Sequence, residues 1–157
     1  MDAMQTLEAS LKHRGTGRAA AVLRIPDLKH ASPVSVAAGR YILVIASERK
    51  VLPLSTKVAR AWVDAGASYI CAWGPDSEQV EETFDYASFL PECGDPLPFT
   101  LMTTLHTDET LEETLWFAFY TASPPDDLDH ALNSVVIVVD SESLENECLT
   151  WVATNDE

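Results

Sequence analysis

The chain has 157 residues, of which 46% are hydrophobic and four are Trp, so it is large and apolar enough for one domain with its own core and is not a disordered chain, despite a formal charge of −15. No apolar run approaches the ~18 residues of a membrane span. The first fifteen residues lack a continuous apolar stretch and do not read as a secretory signal.

Charge is segregated along the chain. All ten Lys and Arg lie at or before Arg60, beside four acidic residues, whereas residues 61–157 carry 21 acidic residues and no Lys or Arg. Phosphate recognition needs clustered cations, so nucleic acid is not an expected partner. An acidic excess of this kind is either a solvated surface or a surface that meets a basic protein. Cys71, Cys93 and Cys148 are an odd number without metal-type spacing, which predicts a reducing, cytoplasmic setting.

In chain order, residues 2–13 predict a short amphipathic helix ended by Gly15 and Gly17, and Ala19–Ile25 a strand closed by Pro26. Residues 26–38 read as irregular connection. Tyr41–Ala46 is a continuous apolar run of strand length, as found in strands covered on both faces. Ser55 caps a helix that places Val58, Trp62 and Ala65 on one face and ends at Gly66. Ser68–Trp73 is a second strand, stopped by Gly74 and Pro75. Asp76 or Ser77 opens a helix with Val80, Phe84 and Ala87 inward and Glu78, Glu81, Glu82 and Asp85 outward.

Leu90–Pro98 reads as a loop and Phe99–Thr104 as a third strand. Thr110 and Glu113 have capping-box spacing at the start of the next helix. Its apolar residues, Leu111, Leu115, Trp116, Phe117, Phe119 and Tyr120, spread over more than one face, and Pro124 and Pro125 end it. Asp126–Leu132 predicts a short helical turn. Val135–Val139 is the strongest strand signal, and Asp140 or Ser141 opens a last helix with Leu144, Cys148 and Trp151 or Val152 inward.

Strands alternating with helices predict an α/β domain of three layers on a mostly parallel sheet of four to five strands, Rossmann-like or flavodoxin-like. Counting from Tyr41, the expected strand order is 2-1-3-4, with Ala19–Ile25 added at an edge. One domain spans 1–157, with residues 1–38 as an extension packing on a core of 39–157.

Ligands of such sheets settle beyond the strand carboxyl ends, where strand order reverses. The expected order puts that crevice between the loops after the first and third strands. The loop Ser47–Ser55 has no glycine, so it is not built to wrap phosphate, and no nucleotide or other cofactor is expected. Arg49 and Lys50 in that loop are cations that can grip an anion. His106 and Glu109 are candidates for acid–base work together with Asp76. Asp76, His106, Asp108 and Asp140 are candidate ligands for Mg²⁺ or Mn²⁺. The three aspartates also stand at helix starts, where a carboxylate caps N–H groups. Trp73 is a candidate pocket flank. No thiol has the setting of a nucleophile: Cys71 and Cys148 point inward, and Glu92 and Asp95 flank Cys93.

Cys71-Ala-Trp-Gly74, a Cys-x-Trp-Gly pattern, together with Thr103-Thr-Leu-His-Thr-Asp-Glu109, a Thr-Thr-x-His-x-x-Glu pattern, resembles an uncharacterised bacterial family of small cytosolic α/β proteins across roughly residues 40–140. The resemblance implies a bacterial cytosolic protein, attaches no activity, and marks Trp73, Asp76, His106 and Glu109 as positions with a shared role.

Two functions follow. The first is an acidic, non-enzymatic interaction protein (an inhibitor, immunity or accessory subunit) that binds a basic protein through Glu78, Glu81, Glu82, Asp85, Glu112 and Glu113. The alternative is a small enzyme or ligand-binding domain using the His106 crevice. Fold class alone does not choose between them.

Overall fold

A computed structural model of the chain describes residues 5–7, 11–27, 31–36, 39–49, 54–128 and 131–156. Its main sheet has six strands in the order β2-β3-β8-β5-β6-β7, namely Leu11–Lys12, Ala19–Arg24, Ser134–Val139, Tyr41–Ala46, Ala67–Trp73 and Met102–His106. Every neighbouring pair is parallel except β2 and β3. The remaining strands, β1 (Gln5–Leu7) and β4 (Val34–Val36), form a separate parallel pair.

β5 and β8 are buried along their whole length, as their unbroken apolar runs require. Alternation divides their side chains between two cores. Tyr41, Leu43, Ile45, Val136 and Val138 face helices α1 (Thr56–Ala65) and α2 (Ser77–Phe89), which bring Trp62 and Phe84. Ile42, Val44, Val135, Ile137 and Val139 face α3 (Leu111–Trp116) and α4 (Glu142–Thr154), which bring Leu115, Leu144 and Cys148. Each large side chain so buried contributes about 1.5–3 kcal/mol.

Three helices start on hydroxyl caps. Ser55 accepts from Val58 N–H at 3.1 Å, Thr110 from Glu113 N–H at 3.1 Å and Ser141 from Leu144 N–H at 3.2 Å, each worth about 1 kcal/mol. Beyond α3 the helix widens into a π-turn over Phe117–Thr121, closed by Ala122 N–H to Phe117 O at 2.9 Å. The widened turn explains why the apolar residues here do not keep one helical face: Phe117 meets His106 while Phe119 meets His13.

Several expectations are corrected. The segments counted from Tyr41 take the order 3-2-1-4, not 2-1-3-4, so the third strand is an edge of the sheet rather than a central strand. That strand runs Met102–His106 instead of Phe99–Thr104. Phe99 is buried outside the sheet, with the Arg40 guanidinium 4.5 Å above its ring, and Thr100 is held by the Asp127 carboxylate. Within the helix expected over 2–13, residues 5–7 and 11–12 are strands. Tertiary packing overrides the local period there: His13 is fully buried, stacked at 4.9 Å on Trp151, and Gly15 lies so close to Tyr120 that a β-carbon would sit 2.1 Å from its hydroxyl. Residues 19–24, assigned to an extension, lie inside the sheet beside β8. Of the helical turn expected over 126–132, the described part is a turn closed by Leu128 N–H to Pro125 O, and His130 lies outside the described residues.

Gly74 ends β6 at φ +117°, and a β-carbon there would stand 1.8 Å from Ser47 O. Gly17 also has positive φ, +72°, but faces open space. Gly74→Ala is therefore expected to cost about 2–4 kcal/mol in urea unfolding, and Gly17→Ala about 1 kcal/mol.

Candidate functional site

β6 and β7 end side by side, with Trp73 paired to His106. Residues two apart on a strand share a face, so Thr104 and His106 point together toward the α3 side. There the His106 ring meets Phe117 at 4.8 Å and is 3% exposed. Its Nδ1–H donates to the Glu109 carboxylate, at 3.0 and 2.9 Å from the two oxygens, and Nε2 is hydrogen-bonded to Thr104 Oγ1 at 2.8 Å. Trp73 Nε1–H donates to Glu109 O at 2.9 Å. The chain thus contains a hydroxyl–imidazole–carboxylate series that ties the end of β7 to the start of α3, with Trp73 anchoring the same turn from β6.

Above it lies an open cleft of about 340 Å³, lined by Glu48, Trp73, Gly74, His106, Asp108 and Glu109 among others. Among the described residues its side-chain charge comes from three carboxylates and no Lys or Arg. Thr104 is not part of the lining; its hydroxyl also lies 3.5 Å from Ile70 O, down between β6 and β7. Both imidazole nitrogens are hydrogen-bonded and the ring is buried, which holds His106 in one orientation between Thr104 and Glu109.

The reversal of strand order falls between β5 and β8, not between the first and third strands, because β7 is at the edge. At that point Ser47, just after β5, donates its hydroxyl to the Asp140 carboxylate, just after β8. Arg49 adds Nε at 3.4 Å from the same oxygen and donates Nη2–H to Asp140 O at 3.0 Å. Arg49 thus pairs with Asp140 while its side chain stays largely exposed, and Lys50 lies outside the described residues. The other Asp140 oxygen is buried and has no hydrogen-bond partner among the described residues. The Ser47–Arg49–Asp140 association becomes visible only once these two loops are known to be neighbours.

None of the three aspartates caps a helix with its side chain. Asp76 occupies the α2 N-cap without a side-chain hydrogen bond, Asp108 is exposed two residues before Thr110, and Asp140 precedes Ser141. Among the described residues no group of three or more His, Cys, Asp or Glu is placed to hold a metal ion, so Asp76, His106, Asp108 and Asp140 do not converge. Cys71 and Cys148 are buried, which pushes each thiol up to about 12 and away from thiolate chemistry.

The acidic candidates divide between faces. Glu78, Glu81, Glu82 and Asp85 belong to α2, whereas Glu112 and Glu113 belong to α3 on the opposite side of the sheet, so the six do not form one patch. On α2, Asp85 accepts from Thr103 of β7 at 2.7 Å. Burial pushes the Glu81 carboxyl above its ordinary range, and the charges of Asp85 and Glu78 push the same way, against an opposing effect of His106. Ion pairs from the first 60 residues go elsewhere: Arg14 to Asp156, Arg24 to Glu142, Arg49 to Asp140 and Arg60 to Asp64. Among the described residues, no Lys or Arg pairs with a carboxylate of α2.

Two outcomes follow. His106→Ala, which strips Glu109 and Thr104 of a buried partner, is expected to lower stability by about 2–4 kcal/mol in denaturant unfolding. For Glu81, a raised folded pKa means a contribution fully present below the ordinary glutamate pKa and lost as pH rises through the raised value. Glu81→Gln should then raise the melting temperature near pH 7, with the gain vanishing by about pH 4.

No curated protein and no solved structure gives a significant match to the chain. A family model described as a domain of unknown function, DUF7684, matches residues 18–155. The match takes in β3 and α4, both outside the 40–140 span of the motif resemblance. It covers the whole Cys71–Gly74 and Thr103–Glu109 arrangement described above, and the chain belongs to the DUF7684 family.

Proposed function

We propose that this protein is an acidic, non-enzymatic interaction module that binds a basic protein partner in a bacterial cytoplasm. The observation that carries the reading is the fate of the cations. Arg14, Arg24, Arg49 and Arg60 form ion pairs elsewhere, and among the described residues no Lys or Arg pairs with the α2 carboxylates or lines the Glu48–Asp108–Glu109 cleft. Opposite charge on a partner would relieve the repulsion that Glu78 and Asp85 exert on Glu81, and would accelerate encounter. Three free cysteines suit a reducing compartment, and among the described residues no helix is long and apolar enough to cross a membrane.

A second reading rests on one observation, the Thr104–His106–Glu109 series, whose order is that of a nucleophile, base and orienting carboxylate. It ranks below the first because Thr104 does not line the cleft and the imidazole is buried. Hydrolysis of activated esters by the protein, lost in Thr104→Val at unchanged fold, would reverse that ranking.

The test of the first reading is the association rate with a basic protein recovered from the host and purified. It should fall by about tenfold between about 0.05 M and 0.5 M NaCl. Charge reversal at Glu78, Glu82 and Asp85 should slow it further while leaving the melting temperature within a few degrees. A rate indifferent to salt and to these substitutions would reduce the acidity to a solvated surface.

A further inference from the structure

β7 leaves one side of its backbone open. It ends the six-stranded sheet, and among the described residues no strand pairs with its outer edge. Exposed edges are ordinarily blunted by Lys, Pro, bulges or brevity. The opposite edge, β2, has only two residues. β7 has five, Met-Thr-Thr-Leu-His, with no Lys or Pro and an unshifted register against β6. Met102 and Leu105, 36% and 38% exposed, stand on its two faces.

What lies beside the edge specifies the occupant. Thr103 and Leu105 share the α2 face of β7, and the Thr103–Asp85 hydrogen bond seats α2 along it. Glu81 and Glu78 continue the Asp85 row toward the end of β7, since residues three and four apart align on a helix. Toward the other end the row reaches Phe89, 62% exposed and in ring contact with Tyr86. An incoming strand would thus find unpaired N–H and C=O groups on β7, carboxylates above alternate positions, and an aromatic pair at one end. We infer that the outer edge of β7 receives an extended segment of a basic protein as a seventh strand, with Lys or Arg at the alternate positions that face α2. A second copy of this chain fits poorly, because joining two β7 edges sets two carboxylate rows and two chains of formal charge −15 against each other.

This inference rests on the interaction reading above and adds the place and mode of binding. The probe is an alternating Lys–Val nonapeptide, compared with the same peptide N-methylated at every residue, which keeps the charge but cannot donate to a ladder. At low salt the unmodified peptide should slow amide hydrogen exchange within Met102–His106 by about tenfold and bind about tenfold more tightly than the methylated one. Glu78→Lys and Glu81→Lys should each weaken it. If both peptides bind alike and β7 exchange is unchanged, the edge-strand inference is overturned while the acidic-module reading stands. If neither peptide binds, both are overturned. Protection of β7 that rises with protein concentration in the absence of peptide would assign the edge to a second copy and overturn the inference.

Discussion

Past Arg60 the chain has no Lys or Arg to neutralise a carboxylate. Each of the 21 acidic residues beyond it must face water, accept from a neutral donor, or borrow a cation from the first 60 residues. Among the described residues, one borrowed cation, Arg49, reaches a buried carboxylate, whereas Asp64, Asp156 and Glu142, the partners of Arg60, Arg14 and Arg24, are largely exposed. Asp140, 7% exposed at the reversal of strand order, receives Ser47 and Arg49. Arg60, itself 7% exposed, pairs with Asp64 and donates to Ala87 O and Asp95 O, tying α1 to α2 and the loop that follows. Neutral donors serve others: Thr103 bonds Asp85, and Thr100 bonds Asp127. Among the described residues, the carboxylates left without a Lys or Arg partner include the α2 row and the cleft above His106.

Sheet topology decides where that residue of charge is presented. Because β5, β6 and β7 follow one another outward and β8 returns to the other side of β5, the chain ends one edge of its sheet at β7. α2 leads into that strand and packs on it, so the unneutralised helix and the unpaired edge coincide. On the other face the π-turn after α3 presses Phe117 on His106 and fixes the turn that carries Glu109. The motif residues Trp73, Gly74, Thr104, His106 and Glu109 all lie at this joint between β6, β7 and α3.

The sequence was legible where one physical term dominates. β5, β8 and the helix faces of α1, α2 and α4 were readable because apolar runs and 3.6-residue periods act alone there. Three hydroxyl caps were readable from residue type. Strand order was not, since α/β alternation fixes parallel pairing but not which neighbour β8 chooses, and the misplaced reversal point hid Ser47, Arg49 and Asp140 as partners. The edge at β7 has a signature in hindsight: Met-Thr-Thr-Leu-His is less apolar than β5 or β8, and Thr104 with His106 alternates as a one-sided strand does. The N-terminal segment misled because a helical period of two turns is outweighed by stacking of His13 on Trp151 and by pairing of Leu11–Lys12 with β3. Of the candidate site, His106 and Glu109 were legible as a pair by their spacing; the hydroxyl that completes the series was missed.

The central claim is that, among the described residues, the α2 and cleft carboxylates have no Lys or Arg as counter-charge. It is tested most directly by the melting temperature as NaCl rises from about 0.02 M to about 0.3 M, a range over which the Debye length falls from above 20 Å to below 6 Å. Uncompensated repulsion is screened by salt, whereas ion pairs are weakened by it. The account predicts a melting temperature that rises by several degrees across the range and a smaller rise once Glu78, Glu82 and Asp85 are replaced by Gln. A melting temperature that is flat or falls with salt would mean that the cations of residues 1–60 already neutralise this surface, and would contradict it.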